Sequence, residues 1–262
     1  MSAGEALALV AAGIGAGITG TVAGLASLVS YPALLALGIP PVAANVTNTV
    51  ALTGNTIGSV AGSRPELRGQ GRRNRELAPI MLLGGALGAL LLLTTPSGGF
   101  THVVPFLIAG SALVVLLRPR IQAALVRRRE RLLGEHHLPD PDTPLASGAR
   151  IGALAVGAYG GYFGAGAGVM LMALLSLATS AGLVRVNALK NLHLGLANGV
   201  AALGFALFGP VHWPQAALLA LGCLGGSYVS PAIVRAIPPG LLRWLIGVAG
   251  LYLAVKLGLD AY

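Results

Sequence analysis

Long apolar runs that almost no charge interrupts dominate this chain, and about 20 apolar residues in succession suffice to cross a bilayer as a helix. Eight such runs can be read, at 4–29, 41–62, 77–95, 102–117, 150–178, 184–208, 214–234 and 240–259. Charged residues make up 10% of the 262 positions. A soluble domain carries about 25%, so this chain has too little polar surface to cover a water-soluble globule. In hydrocarbon every backbone N–H and C=O must be satisfied from within, and a helix does this by itself. The fold expected is therefore all-α: a polytopic integral membrane protein with about eight transmembrane segments in the lipid bilayer. A soluble enzyme is the first class this pattern excludes.

The net charge of +9 does not mark a nucleic-acid partner. Five arginines crowd into Arg64–Arg75 and six into Arg118–Arg131. Both clusters lie between apolar runs, where basic residues mark cytoplasmic loops. No basic folded face with stacking aromatics accompanies them. The expectation is a multi-pass protein of the cell membrane with loops 64–75 and 118–131 in the cytoplasm. Cys223, the one cysteine, reads as a small buried residue and leaves neither a disulfide framework nor a cysteine-based metal site. His136 and His137 sit side by side in a polar, proline-rich stretch and read as solvated side chains rather than ligands. No metal and no cofactor are expected. The N-terminus lacks the basic n-region of a cleaved signal peptide, so the first apolar run reads as part of the mature protein.

The two halves of the chain resemble each other in order and spacing. Gly20-Thr-Val-Ala-Gly24 lines up with Gly164-Ala-Gly-Ala-Gly168, and Asn45-Val-Thr-Asn48-Thr49 with Asn187-Ala-Leu-Lys190-Asn191. Gly85-Ala-Leu-Gly88 then matches Gly222-Cys-Leu-Gly225, and Phe106-Leu-Ile-Ala matches Trp244-Leu-Ile-Gly. The organisation expected is a first transmembrane repeat over 1–117, a basic cytoplasmic linker over 118–149 and a second transmembrane repeat over 150–262. Duplication of this kind is a common plan for secondary transporters. Orientation, however, carries a conflict. Eight full crossings from a cytoplasmic N-terminus put both arginine clusters inside, but then Arg185, Lys190, Arg235 and Arg243 fall on or toward the outside. Gly-rich broken helices at 4–29 and 150–178 that enter and return without crossing would remove it.

Two constellations could carry chemistry. Gly157, Gly160, Gly161, Gly164, Gly166 and Gly168 crowd one short stretch, with Gly20 and Gly24 in the matching place. Close helix packing is one reading of them. The other is a pair of midplane breaks whose exposed amides and helix N-termini attract an anion and serve as hinges. Each break is followed by a polar run in an apolar segment: Asn45, Thr47, Asn48, Thr49, Thr53, Asn55 and Thr56, then Asn187, Lys190, Asn191, His193 and Asn198. Polar groups at membrane depth are unfavourable unless they pair or line a wet cavity. On a continuous helix Asn45, Asn48, Thr49 and Thr56 fall near one face, and Asn187, Lys190, Asn191 and Asn198 repeat the spacing. The two faces are expected to meet around one polar cavity. Lys190 is then a fixed positive charge beside amide donors, against the plainer reading of a lysine snorkelling from a helix end. His193 could titrate near neutral pH and couple transport to protons, or be structural. None of the eight acids lies deep in a run, which disfavours a cation substrate. The partner expected is a small anion bound by Asn45, Thr47, Asn48, Thr49, Asn187, Lys190 and Asn191, with Gly20, Gly24, Gly164, Gly166 and Gly168 as breaks or hinges.

At these residues the chain resembles a known family. Pro40-Pro-Val-Ala-Ala-Asn-Val-Thr-Asn-Thr-Val-Ala-Leu, with Gly54 and Gly58 after it, is similar to the first-half motif of the TauE/SafE sulfite and organosulfonate exporters. Gly161-Tyr-Phe-Gly-Ala-Gly-Ala-Gly and Asn187-Ala-Leu-Lys-Asn resemble the second-half motif. The likeness spans nearly the whole chain outside 118–149. It implies a permease, not an enzyme, that exports a small sulfur-containing or carboxylate anion by alternating access, with the duplicated motifs around the substrate path. A passive anion channel and an accessory subunit working with a partner stay open as other readings, and a homo-oligomer is compatible with the pattern.

Overall fold

The computed structural model describes residues 1–134, 143–233 and 239–261. His136, His137 and Arg235 lie outside the described residues. The chain forms α1 (Ala3–Ala23), α2 (Ser27–Ala36), α3 (Pro41–Ala51), α4 (Thr53–Gly62), the short α5 (Arg64–Leu67), α6 (Gly71–Thr94) and α7 (Ser97–Gly134). After the linker come α8 (Ser147–Tyr162), α9 (Ala167–Ala178), α10 (Leu183–Phe208), α11 (Trp213–Ile233) and α12 (Pro239–Ala261). The protein is all-α, with no strand among the described residues. Among those residues three unbroken stretches are long and apolar enough to cross a membrane, Ala3–Thr21, Gly71–Thr94 and Leu183–Phe208, and the bent pair Gly98–Val114 plus Pro119–Leu132 makes a fourth. Leu83, Leu87, Leu90 and Leu91 on α6 and Leu203 and Leu207 on α10 point outward and are exposed. So many outward leucines are favourable only against lipid.

Both glycine-rich runs fold back on themselves. α1 is long enough to cross alone, yet the chain turns at Gly24 and α2 returns beside it, with Gly15 in contact distance of Val29. Gly24 is in the left-handed region at φ 70°, and its N–H donates to Gly20 O at 2.8 Å, closing the helix end. The second turn uses Gly164 and Gly166 at φ 78° and 79°, and Gly152 on α8 faces Leu174 on the returning α9. The two tips meet. A Cβ on Gly24 would lie 2.6 Å from Gly168 Cα, and one on Gly168 would lie 2.6 Å from Gly24 Cα. Only two glycines allow that approach.

The remaining helices pack around these hairpins in matched pairs. α1 runs parallel to α11, with Gly13 against Gly222 and Gly17 against Gly226 and Ser227. α8 runs parallel to α6, with Gly84 against Ala158 and Gly88 against Tyr162. α7 and α12 are antiparallel, Gly250 facing Ala112 and Gly247 facing Leu116. Removing side chains at these crossings brings backbones close enough for dense van der Waals packing, the main attraction between helices where lipid is as apolar as leucine.

The arginine-rich stretch 118–134 continues α7 as helix, bent by 58° from the apolar part where Pro119 cannot continue the hydrogen-bond ladder. Arg129 is buried there and donates to Ser176 O at 2.7 Å and to Ala181 O, fixing the bent part to the end of α9. Glu76 on α6 holds the other leg. It accepts from Leu145 N–H at 2.8 Å, pairs with Arg150 at 2.8 Å and pairs with the buried Arg73 at 3.1 Å.

Overpacking a tight core typically costs about 1–3 kcal/mol. Gly84→Val should lower the melting temperature of the purified protein by roughly 2–12 °C. Gly110→Val, where a Cβ meets nothing within 4 Å, should leave it nearly unchanged. Equal effects would contradict the packing described.

Candidate functional site

A polar hollow opens where the first hairpin tip meets α4 and α10. Gly20, Gly24, Ala26 and Ser27 form its wall on the hairpin side, and Gly164 of the second tip reaches it. Leu52, Asn55, Thr56 and Ser59 line it from α4 and the residue before it, and Lys190, Asn191, Leu194, Gly195 and Asn198 from α10. Its volume is about 40 Å³, room for about three water-sized positions. Lys190 is 2% exposed and is the one charged residue on the wall, which holds no carboxylate. The N-terminus of α2, at Ala26 and Ser27, opens on the same space and adds its partial positive charge.

Two buried polar atoms of this wall have no hydrogen-bond partner, Asn191 Nδ2 and Asn198 Oδ1. Buried amides are normally satisfied, and an orphan costs about 1–3 kcal/mol. Orphans that face a polar hollow await water or a ligand. The hollow is electropositive and amide-rich.

The sequence-predicted residues divide into two groups. Lys190, Asn191, Gly20, Gly24 and Gly164 come together at the hollow. Asn45, Thr47, Asn48 and Thr49 do not line it. They are buried and tie the hairpins to the body instead. Asn45 Nδ2 donates to Tyr162 O at 2.8 Å, satisfying a carbonyl at the end of α8. Asn48 Nδ2 donates to Ser27 Oγ at 3.2 Å, and Asn48 Oδ1 accepts from Ser30, clamping α2 to α3. Thr47 Oγ1 accepts from His212 N–H at 3.0 Å, and Thr49 Oγ1 donates to Asn45 O one turn back at 3.0 Å. Asn187 is half-buried one turn away from the hollow. Gly166 sets the second turn and Gly168 fills the contact between tips. His193 is fully buried with Nε2 3.1 Å from Asn74 Oδ1, off the hollow wall.

The division has a physical cause. The reading of one polar face over 41–62 assumes a continuous helix, but the chain breaks at Leu52 between α3 and α4. The break turns Asn45–Thr49 toward the hairpins and leaves Asn55, Thr56 and Ser59, at i, i+1 and i+4, facing the hollow. α10 is unbroken, so Lys190, Asn191 and Asn198 keep the face that their spacing gives. Ser27 and Ser59, unselected by sequence reasoning, carry only a weak signal as small hydroxyl residues near a break. Among the described residues no group of three His, Cys, Asp or Glu side chains could hold a metal.

Against known proteins, the sequence model of the family described as Sulfite exporter TauE/SafE matches residues 9–257. A probable membrane transporter protein, ORF9, of Sinorhizobium sp is 30% identical over 252 residues, covering 94% of this chain and 89% of the relative. A probable membrane transporter protein of Haemophilus influenzae is 27% identical over 246 residues, covering 91% of this chain and 89% of that one. The probable membrane transporter protein YfcA of Escherichia coli K12 is 26% identical over 252 residues, with 94% and 87% covered. No solved structure matches the chain.

The two groups should separate on mutation. Asn48→Ala removes the buried side-chain bonds to Ser27 and Ser30, leaving Ser30 only its bond to Ala26 O, and should destabilise the purified protein by about 1–3 kcal/mol. Asn198→Ala removes an orphaned acceptor and should leave the melting temperature unchanged or raise it. A larger loss for Asn198→Ala would refute this assignment.

Proposed function

We propose that this chain, which belongs to the sulfite exporter TauE/SafE family and is a membrane transporter, moves a small anion by alternating access around the hollow between its two hairpin tips. The observation that carries the reading is Lys190, buried on the wall of a carboxylate-free polar hollow beside the orphaned amide donor Asn191 Nδ2. A fixed cation, amide donors and a helix N-terminus together offset the loss of an anion's hydration shell. Sulfite, an organosulfonate or a small carboxylate is the substrate class, and export is the direction that the family description favours.

The chain is read as two repeats, 1–117 and 150–262, joined by the basic linker 118–149 and related by inverted topology. α1–α2 is the re-entrant hairpin of the first and α8–α9 of the second, entering from opposite faces. α3–α4, α6, α7, α10, α11 and α12 are the crossings. Two observations support this reading: the parallel and antiparallel pairs along the bundle, and the charge distribution. With both hairpins re-entrant, Arg150, Arg185 and Arg243 fall on the same face as the two arginine clusters, and Lys256 on the other. The positive-inside rule makes that face the cytoplasm. Both termini then lie outside. The conflict of eight full crossings disappears.

In proteoliposomes loaded for anion exchange, Lys190→Met should reduce sulfite transport roughly ten- to hundredfold, the worth of a charge-assisted hydrogen bond. Lys190→Arg should retain part of it. Wild-type rates in a correctly inserted Lys190→Met protein would remove the lysine from the binding role.

A further inference from the structure

We propose that the contact between Thr56 and Gly195 is a size filter that restricts this site to compact oxyanions and rejects the same head group carrying a tail; this rests on the anion-transport reading above. α4 and α10 cross at this pair, on the wall of the hollow. Gly195 has no side chain, and a Cβ built there would overlap the Thr56 Cγ2 methyl. The Thr56 hydroxyl is turned back toward Leu52 O on its own helix, at 3.4 Å. The methyl, not the hydroxyl, therefore fills the notch left by the glycine.

That methyl limits the space. The hollow's 40 Å³ corresponds to about three water-sized positions, the scale of a compact oxyanion such as sulfite, and the Thr56 methyl takes up the α4–α10 side into which a tail would extend. The other walls of the notch offer no equal adjustment. Gly20 and Gly24 are backbone at the hairpin tip, and Leu52 sits 6% exposed in the packed core. Asn191 lines the hollow on the α10 side, and its buried Nδ2 has no hydrogen-bond partner. Shortening Thr56 by one methyl opens the notch. Adding one methyl at Gly195 shuts it, and the two changes compensate.

The test uses the full chain purified into proteoliposomes, with sulfite and 2-hydroxyethanesulfonate as probes. Wild type should move sulfite and discriminate against the hydroxyethyl compound. Thr56→Ser should raise the uptake ratio of 2-hydroxyethanesulfonate to sulfite at least about tenfold, since one methyl in a fitted pocket is worth roughly ten- to two-hundredfold in selectivity. Gly195→Ala should cut uptake of both probes, and Gly195→Ala with Thr56→Ser should regain sulfite uptake. Sulfite transport with an unchanged ratio in Thr56→Ser, or a Gly195→Ala defect that the double variant fails to relieve, overturns the filter and leaves the anion reading standing. A folded wild type that moves neither probe overturns the anion reading, and the filter with it.

Discussion

Hydrocarbon solvates no unpaired peptide group, and the whole arrangement follows from how this chain meets that constraint at two breaks inside a membrane-embedded bundle. Each hairpin tip exposes backbone that a continuous helix would have satisfied. The second tip is met by side chains: Ala165 O accepts from Ser111 Oγ at 2.9 Å and from Tyr159 OH at 2.7 Å, and Tyr162 O accepts from Asn45. The first is met by its own left-handed glycine cap and by the serines that Asn48 holds. The tips then bury against each other at Gly24 and Gly168. Polar residues here are largely the means by which broken helices exist at depth.

Two of the atoms left without a partner lie on the wall of the hollow, and others, Asn45 Oδ1 and His193 Nδ1, lie away from it. The polar wall of α4 and α10 carries the orphaned Asn191 Nδ2 and Asn198 Oδ1 and the buried Lys190 around one small space. The two halves contribute unequally: the first supplies a hairpin tip and a broken helix, the second an unbroken helix that carries the charge. On the proposed alternating-access reading, the site belongs where the parts that would move meet. The clamps at the base of the second hairpin, Glu76 on one leg and Arg129 on the other, tie those parts to α6 and α7 far from the hollow.

The all-α membrane fold was legible because apolar runs need no context to be read; many of their ends fall within a few residues of helix ends, but the run to 29 stops inside α2 and the run to 117 stops well short of the end of α7. The glycines of the two turns were legible as clusters, and Lys190 as a lysine in an apolar run. Which polar residues face the site was only half legible. Lys190 and Asn191 lie on a continuous helix, where spacing fixes the face, while Asn45 to Thr49 precede a break at Leu52 that has no glycine or proline to announce it. The helical continuation at Pro119 was legible as the basic first half of a linker that could be helical, but not its bend or its packing, because arginine-rich sequence looks the same in a solvated helix and a packed one.

The central claim is that the first glycine-rich run enters and returns rather than crosses. Single cysteines at Ala3, Ala36 and Arg68, all exposed positions, can be tested for labelling by a membrane-impermeant maleimide in oriented vesicles of a Cys223→Ala protein, whose native cysteine is buried. Re-entry predicts that positions 3 and 36 label from one face and position 68 from the other. Labelling of positions 3 and 36 from opposite faces would make α1 a simple crossing and contradict the account.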